Sequence, residues 1–373
     1  MLEDDMAAYG GVEELPEPDP EIFDPISTYN ARIDYVRLAL MLVVSINAFG
    51  IFAGTIGNFL QIVSGFAAIA FFILSGFLVL GEAPDRDQRI LRAIGRTAIT
   101  FVVMAVVYFL INAVFYAVGG RNIFSSGLYR DPKFWLSFLL LNVWPYDIGG
   151  LIWYVQALLY GYIILFLFSK LKLLRLDWLF FLFFAAFSLM NGEFAGIFDL
   201  RLLGFAYIPR GFLTTALPYL CLGCFMRRKL FSLMNVSDTI YAFLAVAGIA
   251  LCFAEGTILS SFFTLVTTDH FIGMTLTAFA VCAITVTSVI SYPEERTPYL
   301  AVHAKFYFRW IYYLLQPVSV VIAMMVTSRS PEALSKVEPW IWVLAYVGSL
   351  AIAAILGCVK DGFILSRMDD LDE

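Results

Sequence analysis

Histidine is almost absent from this chain: there are two in 373 residues, His270 and His303. Charge is scarce as well, at 14% Asp, Glu, Lys and Arg, where a soluble domain carries about 25%. No cluster of Asp, Glu, His or Cys has the spacing of a metal site, so no metal is expected. No basic run precedes an apolar core at the start, so nothing reads as a cleavable signal peptide. The five cysteines, Cys221, Cys224, Cys252, Cys282 and Cys358, all fall in apolar stretches. Cys221-Leu-Gly-Cys224 has C-x-x-C spacing but lies inside an expected membrane helix, so it reads as packing rather than redox or metal chemistry. The net charge of −6 comes largely from the two tails and implies no nucleic-acid partner.

What the chain does have is hydrophobic residue, 61% of the total. That composition predicts an all-α, polytopic integral membrane protein. Apolar runs of membrane length are expected at about ten places: 35–54, 58–81, 97–119, 150–168, 177–192, 204–226, 238–256, 271–291, 306–327 and 339–359. The stretch 131–144, with Trp135 and Trp144, is too short and too charged to span and reads as interfacial or re-entrant. Residues 1–32 form an acidic tail expected to be disordered, 33–360 a single membrane domain, and 361–373 a short acidic tail. Placing both termini in the cytoplasm puts most of the 24 Lys and Arg residues on the inner side, as the positive-inside rule requires.

Few polar residues interrupt the apolar runs, and each is a candidate for function. Arg37 stands at the mouth of the first run. Ser75-Gly76 ends the second and permits close approach of a helix or a ligand. Arg86, Arg89, Arg92 and Arg96 follow in what reads as a cytoplasmic loop, the last three at helical spacing that gives them one face. Such a row holds phosphates bidentately, or simply meets anionic lipid head groups. Trp153 and Tyr154 open the fourth run, as an aromatic belt would, with the polar Gln156 one turn inside. Gln316, beside Pro317, repeats the pattern of a polar residue within an apolar helix, and Lys305 and Arg309 lie at the cytoplasmic mouth of that helix.

Six of these runs, in this order, resemble the membrane acyltransferase-3 family, the polytopic O-acyltransferases of bacterial polysaccharides and glycoconjugates. They are Ile33-Asp-Tyr-Val-Arg37, Phe71-Phe-Ile-Leu-Ser75-Gly76-Phe77, Arg89-x-x-Arg92-x-x-x-Arg96, Leu151-Ile-Trp153-Tyr154-Val155, Leu217-Pro218-Tyr219-x-x-x-Gly223 and Tyr313-Leu-Leu-Gln316-Pro317. The resemblance covers about 33–360 and looks like the stand-alone form. It implies transfer of a small acyl group, acetyl first, from cytoplasmic acyl-CoA to a hydroxyl of a polysaccharide or lipid-linked sugar. The setting it implies is the bacterial inner membrane.

Carried over residue by residue, the resemblance assigns Arg37 to catalysis and Ser75, Gly76, Arg89, Arg92 and Arg96 to the CoA entry. Trp153, Tyr154, Gln156 and Gln316 become candidates for acceptor binding. The family's first-helix motif is an arginine, ten residues, then a histidine acting as general base or acyl relay. Here that position is Ala48, which neither takes nor gives a proton. Where relatives often carry histidine in the fourth and ninth helices, this chain has Leu151 and Gln316, and His270 and His303 match no family motif.

The departure leaves three readings: an alanine put in place of a native histidine, a natural variant with another base or a substrate-assisted path, and a protein that binds a glycolipid or acyl donor without chemistry. A transporter of saccharide precursors is the alternative from another class. It lacks the support of an inverted repeat or paired broken helices.

Overall fold

A backbone in lipid finds no water to bond, so a spanning segment must pair its own N–H and C=O groups, and an α-helix does so within one segment. The computed structural model describes residues 30–49, 55–80, 86–118, 135, 138–139, 142, 151–191, 194, 211–262, 272–288, 299–329 and 337–372. Among these the architecture is all-α. The helices are α1 (Ala31–Phe49), α2 (Thr55–Val63), α3 (Phe66–Val79), α4 (Arg86–Val118), α5 (Ile152–Lys170) and α6 (Asp177–Asn191). There follow α7 (Leu217–Arg228), α8 (Leu230–Met234), α9 (Asp238–Phe262), α10 (Ile272–Thr287), α11 (Tyr299–Arg329) and α12 (Ile341–Asp372).

Among the described residues, seven segments are long and apolar enough to cross a membrane: α2 with α3, α4, α5, α6 with the short 3-10 turn before it, α9, α11 and α12. Their outer faces are covered with exposed apolar side chains such as Val106, Val114, Phe183, Phe243, Met325 and Ile355. In water such a surface would aggregate; in lipid it is the expected exterior. The chain is an integral membrane protein. Three further helices coincide with expected spans without meeting those limits: α1 carries Arg32, Asp34 and Arg37, α10 has 16 residues, and α7 has 12 after a π-helical turn at Phe212–Ala216.

Three expectations change. The basic stretch read as a loop is the start of α4, which begins at Arg86; three residues at helical spacing belong to a helix that extends beyond the membrane-length run. The second expected span is two helices, parted at Ser64-Gly65. The acidic segment after 360 continues α12 to Asp372. Of the 131–144 stretch, only Trp135, Phe138, Leu139 and Asn142 lie among the described residues.

The core centres on α3, whose Phe72, Ile73 and Leu74 are fully buried with Leu165 of α5 and Leu217 and Leu220 of α7. Small residues let these helices close up. A Cβ on Gly76 would sit 2.2 Å from the Leu220 carbonyl oxygen, and one on Gly223 would sit 2.0 Å from that of Ile73. The same device joins α9 to α10, where a Cβ on Gly273 would meet the Gly248 oxygen at 2.4 Å. Glu255 of α9 accepts the backbone N–H groups of Ile272 at 3.2 Å and Gly273 at 2.9 Å, so a carboxylate from the neighbouring helix caps the start of α10.

At the other end of the bundle, the fully buried Asp177 accepts two bonds from the Arg228 guanidinium, tying α6 to α7. Asp87 accepts from Ser169 and pairs with Lys170 at 2.8 Å, tying α4 to α5. Pro317 in α11 has no N–H for the Tyr313 carbonyl one turn back. That carbonyl is taken instead by the Tyr108 hydroxyl of α4, at 3.2 Å.

Candidate active site

Ala48 stands eleven positions after Arg37, three helical turns, so both project from one face of α1 roughly 16 Å apart along the axis. Met41 and Val44 lie between them on that face. All four line one cavity of about 940 Å³, which α1 shares with α2, α3, α4, α5 and α11. Arg37 donates to Asp34 at 3.3 Å, one turn earlier, and its guanidinium lies 5.2 Å from the centre of the Phe308 ring. Its Nε is buried with no hydrogen-bond partner among the described residues. Ala48 is exposed on the cavity wall. Beside it, Asn47 donates to the Gln61 carbonyl at 2.9 Å and Gln61 donates back to that of Asn47 at 3.1 Å, locking the end of α1 to α2.

The face of α3 that reaches the cavity carries Ala68, Phe71 and Ser75, at spacings of three and four. The Ser75 and Tyr154 hydroxyls lie 3.4 Å apart. Tyr154 is enclosed by rings: its centroid is 4.5 Å from that of Phe72 and 5.6 Å from that of Tyr312. Tyr312 donates to the Leu151 carbonyl, and the Leu151 N–H reaches the Gln316 side-chain oxygen at 3.5 Å, so α11 holds the start of α5.

Arg89, Arg92 and Arg96 are exposed and line the cavity from α4; Arg309 does so from α11. With Arg37 the lining holds five arginines, and among the described residues no Asp, Glu, His, Lys or Cys. A guanidinium-rich hollow with no carboxylate suits a polyanion that offers several phosphates. Within the described residues no group of three or more metal-ligating side chains comes together.

The cavity thus gathers Arg37, Ala48, Ser75, Arg89, Arg92, Arg96, Trp153, Tyr154 and Gln316. Two of the sequence candidates lie elsewhere. Gly76 faces α7, and its carbonyl accepts the Cys224 thiol at 3.6 Å. Gln156 is 1% exposed and donates to the carbonyls of Phe138 and Leu139, at 2.6 and 3.3 Å. His303 lies against Tyr307, ring centroids 5.8 Å apart, and does not line the cavity; His270 lies outside the described residues.

Phe308, Tyr312 and Tyr313 also line the cavity, beyond the residues expected from the sequence, and Arg309, expected only at the helix mouth, joins them. The signal was present: Arg309, Tyr312, Tyr313 and Gln316 are spaced three, four and seven apart, one stripe of α11.

No curated protein and no solved structure matches the chain. The profile of the acyltransferase domain matches residues 30–358, nearly the whole helical bundle. Together with the lipid-facing exterior, that match places the chain in the acyltransferase 3 family, as an integral membrane acyltransferase.

Proposed function

We propose that the arginine-ringed cavity binds acyl-CoA, acetyl-CoA first, and that its acyl group passes to a hydroxyl of a polysaccharide or lipid-linked sugar. The observation that carries this is the lining itself: five guanidiniums and, among the described residues, no carboxylate in one cavity of a family member. Arg89, Arg92, Arg96 and Arg309 hold the phosphates of the donor, and Arg37 lines the cavity between them and position 48. Ser75 and the rings of Trp153, Tyr154 and Tyr312 border the acceptor's place, and Gln316 keeps that wall in register. The bundle crosses a bacterial cytoplasmic membrane about ten times, both termini inside, so the donor enters from the face where α1 and α4 begin.

In the reaction, the acceptor oxygen attacks the thioester carbonyl, a C–O bond forms and the C–S bond breaks. The hydroxyl proton ends on the departing thiolate, and a base carries it there. An imidazole at position 48 would reach into the cavity and serve as that base. Alanine cannot, and the described lining offers no other group that titrates near neutrality. The chain is accordingly a donor-binding acyltransferase whose turnover is held down by Ala48. The same bare lining favours a second reading, a protein that binds donor or glycolipid without chemistry.

The test is transfer from labelled acetyl-CoA in membranes, this chain beside Ala48→His, with a polysaccharide acceptor supplied. Label transferred only by the Ala48→His chain supports the reading. Equal transfer by both places the base elsewhere. No transfer by two folded proteins moves the binding-only reading forward.

A further inference from the structure

Every charged side chain in residues 1–29 is a carboxylate: nine Asp and Glu, from Glu3 to Asp24, and no Lys or Arg. The described chain begins at Asn30, and this junction is pinned to the fold. The Asn30 amide donates to the Ser288 carbonyl at 3.2 Å, and its side-chain oxygen accepts the Arg32 N–H at 3.1 Å. Arg37 follows two turns later, about 10 Å along the axis. The end of α1 that carries the acidic segment is therefore the end at which the cavity's arginines gather. Arg89, Arg92, Arg96 and Arg309 are exposed there, and no Asp or Glu lines the cavity among the described residues.

We propose that the acidic segment 1–29 docks at this arginine-ringed mouth and competes with the anionic donor for the guanidiniums. A segment joined directly to its target acts at an effective concentration on the order of millimolar, so weak contacts suffice. The contacts are exposed ion pairs and fade as salt screens them. The segment thus sets a threshold: donor binds when its concentration exceeds the local supply of carboxylate. The competition rests on the cavity's being the donor site; the docking itself does not.

The experiment uses the purified full chain and a variant whose nine carboxylates in 1–29 are changed to Asn or Gln. Binding of CoA is measured at about 20 mM and about 300 mM salt, either side of strong screening. The neutralised chain is expected to bind CoA about tenfold more tightly at low salt, with the gap closing to under about twofold at high salt. Equal affinities at low salt, with both chains binding, overturn the proposal.

If neither chain binds CoA, the donor-site reading fails, and the docking is decided by a second arm. A labelled peptide of residues 1–29 is titrated onto the neutralised chain. Saturable binding that is lost in Arg89→Ala/Arg96→Ala and kept in Lys229→Ala supports the docking. No binding, or binding that survives the arginine changes, overturns it.

Discussion

Arg37 is held on two sides and open on a third. Asp34 takes one of its terminal nitrogens and the guanidinium carbon lies over the Phe308 ring, while Nε keeps its proton unshared among the described residues. A guanidinium in a hollow of lower dielectric constant than water acts on nearby negative charge more than it would in bulk solvent. In the Ala48→His background, Arg37→Ala is expected to lower acetyl transfer by about a hundredfold. Arg37→Lys keeps the charge but loses the planar fork, and should fall between the two. Initial rates with labelled acetyl-CoA measure this, and a wild-type rate in Arg37→Ala would move the site away from α1.

Helix pairs decide which of the small residues serve packing and which serve the cavity. Gly76 and Gly223 let α3 and α7 touch backbone to backbone, and a side chain on either collides with a carbonyl. Gly76→Val should destabilise the protein by about 1–3 kcal/mol, the usual cost of overpacking. Gly95 of α4 is the control, since a Cβ there meets nothing within 4 Å; Gly95→Ala should stabilise by up to about 1 kcal/mol. Thermal unfolding in detergent separates the two.

The same pairings explain what could be read from sequence. The interval from Arg37 to Ala48 and the three-four spacing of Arg89, Arg92 and Arg96 are properties of one helix, so they were legible. Which face a helix turns inward is set by its neighbours. Gly76 therefore passed for a cavity residue and Gln156 for an acceptor contact, although α7 covers the first and the 138–139 carbonyls take the second. The stripe of Arg309 and Tyr312 is visible in α11 alone, but not that α1 and α5 leave it open to the cavity.

At the scale of the whole molecule, five arginines share one cavity, and the sequence before α1 carries nine carboxylates and no Lys or Arg. Binding of a polyanion to such a cavity depends on long-range attraction as well as on contact. Arg89→Ala together with Arg96→Ala should raise the KM for acetyl-CoA about tenfold or more in the Ala48→His background, with a smaller change in kcat. The same double change should flatten the dependence of KM on ionic strength. An unchanged KM would leave these arginines the sole task of orienting the chain in the membrane.

The carboxylate of Glu255 has a consequence for how the protein is made. It lies within a membrane-length helix, 9% exposed, and its partners are the first N–H groups of α10. Entering lipid alone, α9 would carry a charge with no donor. Alone, α10 is 16 residues long, short for a span that needs about 20, and would carry bare N–H groups at its start. Each segment cancels the other's defect, so α9 and α10 are expected to enter the membrane as a paired hairpin joined at Glu255.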